Sequence, residues 1–208
     1  MSQNDCSHDY PHILRVLTLS RRLTRPSDDP TLITLSALLH DIADAKYIPA
    51  NSTTHATPKS FLLSVSCPAS IAAAVDTICS HVSYSKEIKN PARVQEVLKV
   101  YPELAVVQDA DRLDAIGAVG IGRCFAFGGA MKRVGGLKGC VDHFGEKLMR
   151  LEGMMKTELG RELAGERTRR VREFERWWRE ELGEVEVKEG DKEKKWDVED
   201  SYEGFENV

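Results

Sequence analysis

The sequence predicts an all-α protein in which helices pack as a bundle around a single core. Apolar residues recur along most of the chain at the period of an α-helix, about 3.6 residues. No segment shows the sustained apolar and polar alternation of a half-buried strand, and no motif repeats at a period of about 20 to 50 residues. A chain of 208 residues suffices for one sizeable core, so we expect one domain over residues 1–183 and a charged, disordered tail over residues 184–208.

Two helices are expected in the amino-terminal part. The apolar positions that follow Tyr10 favour a short amphipathic helix that stops before Pro26. Asp28 or Asp29 can cap a second helix, with Pro30 in its first turn. Residues 31–44 (TLITLSALLHDIAD) are apolar on nearly every side until His40, which predicts a buried helix over this whole stretch.

The rest of the chain also reads mainly as helix. Residues 83–91 predict a loop, and the glycines of residues 128–139 predict a break. The predicted helices cover residues 59–66, 69–81 and 92–101, then one long apolar helix over residues 102–127, and two further helices between residues 140 and 182.

Charge and cysteine content narrow the class of function. A formal net charge of -4 gives no overall basic field, which argues against a dedicated binder of duplex DNA or of an anionic membrane. The cysteines lack the CxxC spacing of a zinc knuckle or redox motif, and no apolar stretch reaches the about 18 residues of a membrane helix. No secretory signal pattern opens the sequence. We therefore expect a cytoplasmic protein with reduced thiols.

Ionisable residues interrupt three apolar helical segments. Burying several carboxylates together is costly unless a positive charge lies among them, and a divalent cation supplies that charge. A mixed imidazole and carboxylate set suits Mn, Fe, Co, Ni or Zn better than calcium. Separate ion pairs with Arg15, Arg112 or Arg123 are the alternative, and the residues alone leave both open. The interrupting residues are His12 in the first helix, His40 and Asp41 in the second, and Asp109, Asp111 and Asp114 in the long one.

Five segments follow the order seen in a known family. The segments are SHDYPHILRV, LLHDIADAK, HVSYSK, VVQDADRLDAIGAVGIGR and DHFGEKL. In this order they resemble the small HD-domain metal-dependent phosphohydrolases, in the branch described as nucleotide pyrophosphohydrolases. The resemblance spans roughly residues 7–182. It implies an HD-domain helical bundle with a metal site in its centre.

The resemblance implies one divalent metal ion, which could be Mn, Co, Ni, Mg, Fe or Zn. The implied ligands are His12, His40, Asp41 and Asp111. Asp111 matches the family's final ligand because it stands in an "ADRL" setting. Asp109, two residues earlier, points to a different side of the helix and is expected to support the site from outside the ligand set or to accept a proton. Asp41 is the other candidate proton acceptor.

The resemblance also suggests residues around the substrate. Lys46 and His81 are expected to contact phosphate and assist catalysis, and Arg112, His143 and Lys147 are candidate walls of the substrate pocket. Each has a simpler alternative. Lys46 could be a surface lysine, His81 a histidine at a helix end, and Arg112 a partner of local acids. His143 and Lys147, four residues apart on one predicted helix face, could combine core packing with a surface pair.

The implied reaction is metal-assisted hydrolysis of a nucleoside triphosphate to a monophosphate and pyrophosphate. The expected partner is a small phosphorylated molecule, with no duplex nucleic acid and no membrane, and the expected assembly is a monomer or homodimer. Two alternatives stay open. The chain could be a catalytically inactive metal- and nucleotide-binding module. It could also be an HD-type diiron oxygenase, which needs further ligands, and His81 is the obvious extra histidine for that role.

Overall fold

The computed structural model describes residues 9–42 and 57–183, and these residues form an all-helical bundle with no strand. The predicted all-α class is therefore confirmed. The predicted tail, residues 184–208, lies outside the described residues. In chain order the helices are α1 (Tyr10–Leu23), α2 (Pro30–Leu39), α3 (Pro58–Ser64), α4 (Ala69–Cys79), α5 (Tyr84–Lys89), α6 (Pro91–Val100), α7 (Glu103–Asp114), α8 (Gly117–Ala130), α9 (Gly136–Glu146), the 3-10 helix Leu148–Met154 and α10 (Glu158–Glu181).

Side-chain caps fix where the first two helices begin. The Asp9 carboxylate accepts a hydrogen bond from the His12 backbone N–H at 2.9 Å. Asp29 caps α2 by accepting from the N–H groups of Thr31 and Leu32. Asp28, the other predicted cap, instead forms an ion pair with Arg25. The caps place His12 in the first turn of α1.

Helix α7 is the centre of the bundle. Almost all of its residues are buried, and it packs against α1, α2 and α10. Val106, Ala110 and Leu113 belong to the largest apolar cluster, which also takes residues from α1, α2, α8, α9 and α10. Because α1 and α2 both pack directly on α7, polar side chains on these three helices can meet inside the bundle.

The long helix predicted over residues 102–127 is wrong, because the chain bends by 73° between α7 and α8. Gly117 has a φ of +77°, a left-handed conformation that residues with a Cβ rarely adopt. A Cβ on Gly120 would lie 2.3 Å from the carbonyl carbon and oxygen of Ala115. The bend therefore needs glycine at both positions, and the apolar pattern alone does not reveal it.

Three other boundaries differ from the prediction. Residues 84–89, predicted as loop, form α5, and the Glu87 side chain on α5 pairs with Arg112 at 2.5 Å. Tertiary contacts therefore hold a short helix that the local sequence does not specify. Helix α2 ends at Leu39, so His40 to Ile42 form a turn beyond it, and residues 43–44 lie outside the described residues. The glycine-rich stretch supplies the end of α8 and the start of α9.

Among the described residues, no single helix combines the length and apolar composition needed to cross a bilayer. Helices α7 and α8 meet those criteria only as a bent pair. Since α7 is buried in the core, its apolar composition reflects packing within the bundle.

Candidate metal centre

Two imidazole rings face each other where α1 and the end of α2 meet. The Nε2 atoms of His12 and His40 lie 3.3 Å apart. His12 is fully buried, and the side chain of His40 is 2% exposed. His12 is carried by the first turn of α1, and His40 follows directly after α2. Two buried ring nitrogens are thus aimed at one point.

The other nitrogen of each ring is already engaged. His40 Nδ1 donates to the Ala37 backbone carbonyl at 2.9 Å. His12 Nδ1 donates to Asp114 Oδ2 at 2.8 Å. When a neutral imidazole donates from Nδ1, its Nε2 carries a lone pair. In their neutral forms, both histidines therefore direct Nε2 lone pairs at the shared point, as metal-ligating histidines do.

Two carboxylates complete the cluster. Asp41 Oδ2 lies 3.3 Å from His12 Nε2, and Asp41 Oδ1 lies 3.4 Å from His40 Nε2. Asp111 Oδ1 lies 3.6 Å and 3.8 Å from the same two nitrogens. Donor atoms of His12, His40 and Asp111 all lie within 4.8 Å of one another. The structure therefore brings together the four side chains named as ligands from the sequence.

The electrostatics of the cluster favour a cation. Burial lowers the pKa of His12, but hydrogen bonding to Asp114 and Asp41 and the charge of Asp111 outweigh it and raise the pKa to about 9. Burial raises the pKa of Asp114, but hydrogen bonds from His12 and Arg15 and the charge of Arg123 lower it to about 2. Without a metal, a proton on His12 supplies the positive charge that the carboxylates require.

The donor set fits a divalent transition metal. Two imidazole nitrogens and two carboxylates suit Mn, Fe, Co, Ni and Zn. Both histidines have the outer hydrogen-bond partners that fix ring orientation in metal sites. A buried group of nitrogen lone pairs and carboxylates is costly unless a cation joins it. The residues therefore fit the cofactor expected from the sequence.

Asp114 supports this centre by hydrogen-bonding to His12, a role that was not predicted from the sequence. Besides His12, its carboxylate accepts from Arg15 Nε at 2.7 Å and from Arg123 at 3.0 Å. The sequence does carry a signal for it. Asp111 and Asp114 are three residues apart, as are His12 and Arg15, so each pair shares one helix face.

Comparison with known proteins agrees with this geometry. A family model described as "HD domain" matches residues 10–116, which is just over half of the chain and contains all four converging side chains. The Bacillus subtilis protein YpgQ is 34% identical over 179 residues, and the alignment covers 85% of each protein. The chain belongs to the HD-domain family. The predicted HD-domain family is therefore confirmed, whereas its nucleotide pyrophosphohydrolase branch stays a prediction.

Solved HD-domain structures share the architecture. The crystal structure of Bacillus subtilis YpgQ in complex with ADP aligns with a TM-score of 0.66 and 32% identity, covering 84% of this chain and 86% of that one. An HD-superfamily hydrolase from Bacillus thuringiensis aligns with a TM-score of 0.55 and 27% identity, covering 86% and 88%. This HD domain thus has one structural neighbour that is a hydrolase and another crystallised with a nucleotide.

Asp109 does not face the metal centre of the HD domain. Its fully buried carboxylate accepts from the backbone N–H groups of Lys156 and Thr157 at 2.7–3.0 Å and from the Thr157 hydroxyl at 2.8 Å. These bonds hold the segment before α10 against α7. The prediction that Asp109 accepts a proton from water is replaced by this structural role, which depends on contacts with residues almost fifty positions away.

Arg112 is likewise removed from the substrate-binding set. The residue is 2% exposed. Its guanidinium pairs with Glu87 on α5 and donates to the Met154 carbonyl at 3.0 Å. A buried guanidinium with these partners has no face left for a phosphate. The predicted alternative, pairing with an acid, describes it correctly.

The remaining predicted substrate residues occupy three places. His81 follows α4, and its Nδ1 contacts the Thr77 carbonyl at 2.8 Å. His143 lies on α9, where burial is the largest cause lowering its pKa. Lys147 caps the end of α9, where its backbone N–H donates to the His143 carbonyl at 3.0 Å, and its Nζ lies 5.2 Å from the centre of the Tyr84 ring. Lys46 lies outside the described residues.

Proposed function

We propose that this HD domain is a metal-dependent phosphohydrolase that cleaves nucleoside triphosphates to monophosphates and pyrophosphate. The observation that carries the proposal is the convergence of His12, His40, Asp41 and Asp111, which offers two lone pairs and two carboxylates to one cation. The hydrolase from Bacillus thuringiensis supports the reaction class, and the ADP complex of YpgQ supports a nucleotide as the substrate.

The mechanism rests on what each side chain does around the cation. When bound by these four residues, a divalent ion would act as a Lewis acid on a phosphoryl oxygen and lower the pKa of a bound water. Asp114 and the Ala37 carbonyl orient the two imidazoles by accepting from their Nδ1 atoms. Asp41 lies beside both Nε2 atoms, where its carboxylate is placed to accept a proton from the attacking water.

The open side of the centre is at Asp111. The Asp111 side chain is 28% exposed, compared with 14% for Asp41 and 2% or less for the two histidines. Substrate therefore approaches over Asp111. The negative charge of a triphosphate requires cations, and we propose Lys46 for this role, with His81, His143 and Lys147 as candidate walls of the pocket.

Among residues 9–42 and 57–183, one group of three or more metal-ligating side chains comes together, namely His12, His40 and Asp111. Asp41 adjoins that same group. A diiron oxygenase needs a second set of ligands, so this observation favours the mononuclear hydrolase over that alternative.

The test combines metal analysis with a substrate panel. The protein is purified without chelator, its metals are measured, and nucleotides are screened for pyrophosphate and phosphate release with Mn²⁺, Co²⁺, Ni²⁺ or Mg²⁺. We expect one divalent ion per chain and pyrophosphate release from nucleoside triphosphates. His40→Ala should lose both metal and activity, whereas Asp142→Asn, an exposed carboxylate that pairs with Lys138 on α9, should keep both.

Two outcomes would contradict the proposal. If nucleotides raise the melting temperature of the metal-bound protein but no phosphate or pyrophosphate appears with any metal, the chain is a binding module. If elemental analysis finds two iron atoms per chain, the diiron alternative replaces the hydrolase.

A further inference from the structure

A cleft of about 470 Å³ has in its lining Asp114, the residue that also hydrogen-bonds His12 of the metal centre. Its walls come from α1, from the bend between α7 and α8, and from α10. The four metal-centre side chains do not line it, so it is a separate cavity. This volume lies within the range of small-molecule sites, about 300 to 1,000 Å³. We call it the arginine cleft because Arg15, Arg22, Arg167 and Arg170 line it.

The arginine cleft has an excess of positive charge. Its four arginines face one lining acid, Asp114, in a chain whose net charge is -4. The Asp114 carboxylate accepts hydrogen bonds from His12, Arg15 and Arg123, and it makes none to the other three arginines that line the cleft. One carboxylate therefore faces four guanidiniums in the cleft. An isolated positive field in a concave site concentrates anions.

In the part of the chain that the structure describes, the guanidiniums of Arg167 and Arg22 have no carboxylate as a hydrogen-bond partner, and Arg170 pairs with an acid that does not line the cleft. Arg167 Nη1 donates to the Leu113 carbonyl, a neutral partner, at 2.5 Å. Arg170 pairs with Glu166 on the exposed face of α10. Among the described residues, no carboxylate pairs with Arg22 in the last turn of α1. Burial is the largest cause that lowers the pKa of Arg167. The charge of Asp114 raises that pKa, and repulsion from Arg170 and Arg22 lowers it further.

Backbone geometry holds one arginine in place. A Cβ on Gly117 would lie 3.1 Å from Arg167 Cγ, so the aliphatic stem of Arg167 packs on the backbone at the start of α8. That helix start has no side-chain cap, and its first residues, Gly117 to Val119, line the cleft. Its unbonded N–H groups add to the attraction that the arginines exert on an anion.

We propose that the arginine cleft binds a small phosphate-bearing anion at a site separate from the metal centre. Guanidinium groups present paired N–H donors that match phosphate oxygens, and several of them around one cavity suit a multiply charged group such as a diphosphate. Apolar residues of the same cleft, Leu14 and Val119, are exposed at 42% and 47%, so a nucleoside attached to the phosphates would find an apolar surface.

The site is coupled to the metal centre through Arg15 and Asp114. Arg15 donates to both oxygens of Asp114, at 2.7 Å and 3.0 Å, and Asp114 Oδ2 accepts from His12. An anion that binds Arg15 competes with Asp114 for this guanidinium and so alters the charge that orients His12. Anion binding in the arginine cleft thus changes the hydrogen bonding of Asp114 to the metal ligand His12.

The test measures binding of pyrophosphate and of UDP to metal-free, full-length protein in EDTA by calorimetry. Arg22→Ala/Arg170→Ala removes two cleft arginines. Arg21→Ala/Arg169→Ala is the matched control, because it removes the same charge from the neighbouring, exposed positions of the same two helices. We expect the dissociation constant for pyrophosphate to rise at least about tenfold in the first variant and less than about twofold in the control.

Equal weakening in both double variants, or no binding to the parent, would overturn the site. Tighter binding in Asp111→Asn together with unchanged binding in Arg22→Ala/Arg170→Ala would also overturn it, because removal of that carboxylate favours an anion in the metal centre. Because binding is measured on metal-free protein, its outcome does not depend on whether the protein is a hydrolase. Failure of the hydrolase proposal would therefore leave this binding unchanged. Tighter binding of UDP than of pyrophosphate would identify a nucleotide as the ligand, and equal binding would identify the phosphates alone.

Coupling has its own readout. In protein labelled with ¹⁵N-histidine, pyrophosphate should shift the ring nitrogen signals of His12 in the metal-free parent. The shift should be lost in Arg22→Ala/Arg170→Ala at the same concentration. Unchanged His12 signals in the parent at saturating pyrophosphate would overturn the coupling.

Discussion

At the scale of single residues, His12 is the most constrained group in the protein. One ring nitrogen donates to Asp114, and the other lies within 3.3–3.6 Å of His40, Asp41 and Asp111. Its neighbours carry more negative charge than the ring can offset without a proton or a metal. Its protonation and metal binding are therefore alternatives, and both depend on Asp114.

Asp114→Asn tests this dependence. The amide can still accept from His12 Nδ1, but it lacks the charge that raises the basicity of the imidazole and pairs with Arg15. We expect Mn²⁺ affinity, measured by calorimetry, to fall about 10- to 100-fold. Asp142→Asn, an exposed carboxylate on α9, is the matched control and should bind Mn²⁺ as the parent does. Unchanged affinity in Asp114→Asn would show that the outer carboxylate does not tune His12.

The raised pKa of His12 predicts how the stability of the metal-free protein depends on pH. Its folded pKa of about 9 lies above the ordinary value of 6.5, so its contribution is present in full below pH 6.5 and is lost as pH rises through 9. We expect the parent to lose on the order of 3 kcal/mol more than His12→Asn between about pH 6 and about pH 10, measured by urea unfolding in EDTA. Parallel losses in the two proteins would contradict the assignment.

At the scale of elements, α7 serves two purposes from opposite faces. Asp111 and Asp114 face α1 and the metal centre. Asp109 and Arg112 bind the segment that leads into α10, together with Glu87 of α5. Substitutions two or three residues apart on this helix should therefore have different effects.

Asp109→Asn and Asp111→Asn form a matched pair. Asp109→Asn places an amide among backbone and hydroxyl donors, and we expect it to lower the free energy of unfolding by about 2 kcal/mol while metal content is kept. Asp111→Asn should lose most of the bound metal and leave the metal-free protein about as stable as the parent. Elemental analysis and urea unfolding check both. Loss of metal in Asp109→Asn with full metal in Asp111→Asn would reverse the choice of fourth ligand.

The bend between α7 and α8 gives a second contrast. Gly120→Ala places a Cβ against the Ala115 backbone at 2.3 Å and should lower the free energy of unfolding by about 1–3 kcal/mol. Gly122→Ala on the same helix meets nothing within 4 Å, and it should raise that energy by about 0.5–1 kcal/mol because alanine favours the helical state. Urea unfolding distinguishes the two. Equal effects would mean that the bend does not require close backbone approach.

At the scale of the whole molecule, the centre joins helices that are distant in sequence. Its donor side chains come from α1, from the turn after α2 and from α7. Only the folded chain brings these four side chains together, so the cation binds the folded state and not the unfolded one. A bound ion therefore adds its binding free energy to the stability of the fold.

Metal addition should raise the melting temperature. At a free Mn²⁺ concentration about 100 times the dissociation constant, we expect about 2.7 kcal/mol of stabilisation, which corresponds to about 5 to 10 °C for a domain of this size. EDTA should reverse the shift. His40→Ala should show no shift, whereas Asp142→Asn should behave as the parent does. A shift of equal size in His40→Ala would show that Mn²⁺ stabilises the protein from another site.

Local signals in the sequence were sufficient for the helical class and for Asp29 as a candidate cap of α2, whereas the set of four converging side chains was implied by the family resemblance. Apolar periodicity, Asp29 before Pro30 and the His40–Asp41 pair are short-range features. The failures have two causes. The α7–α8 bend depends on a local feature that apolar periodicity does not record, the positive φ of Gly117 and the close approach of Gly120 to Ala115. Helix α5, Asp109 and Arg112 depend on partners that lie 25 to 48 residues away in the chain.

The four converging donors lie within residues 12–111, whereas the described part of the chain after the bend, residues 117–183, contributes core and cleft but none of these four. Exchanging α8, α9 and α10 between relatives would alter the surroundings of the reaction while leaving its metal ligands in place. The bend at Gly117 is the natural junction for such chimeras.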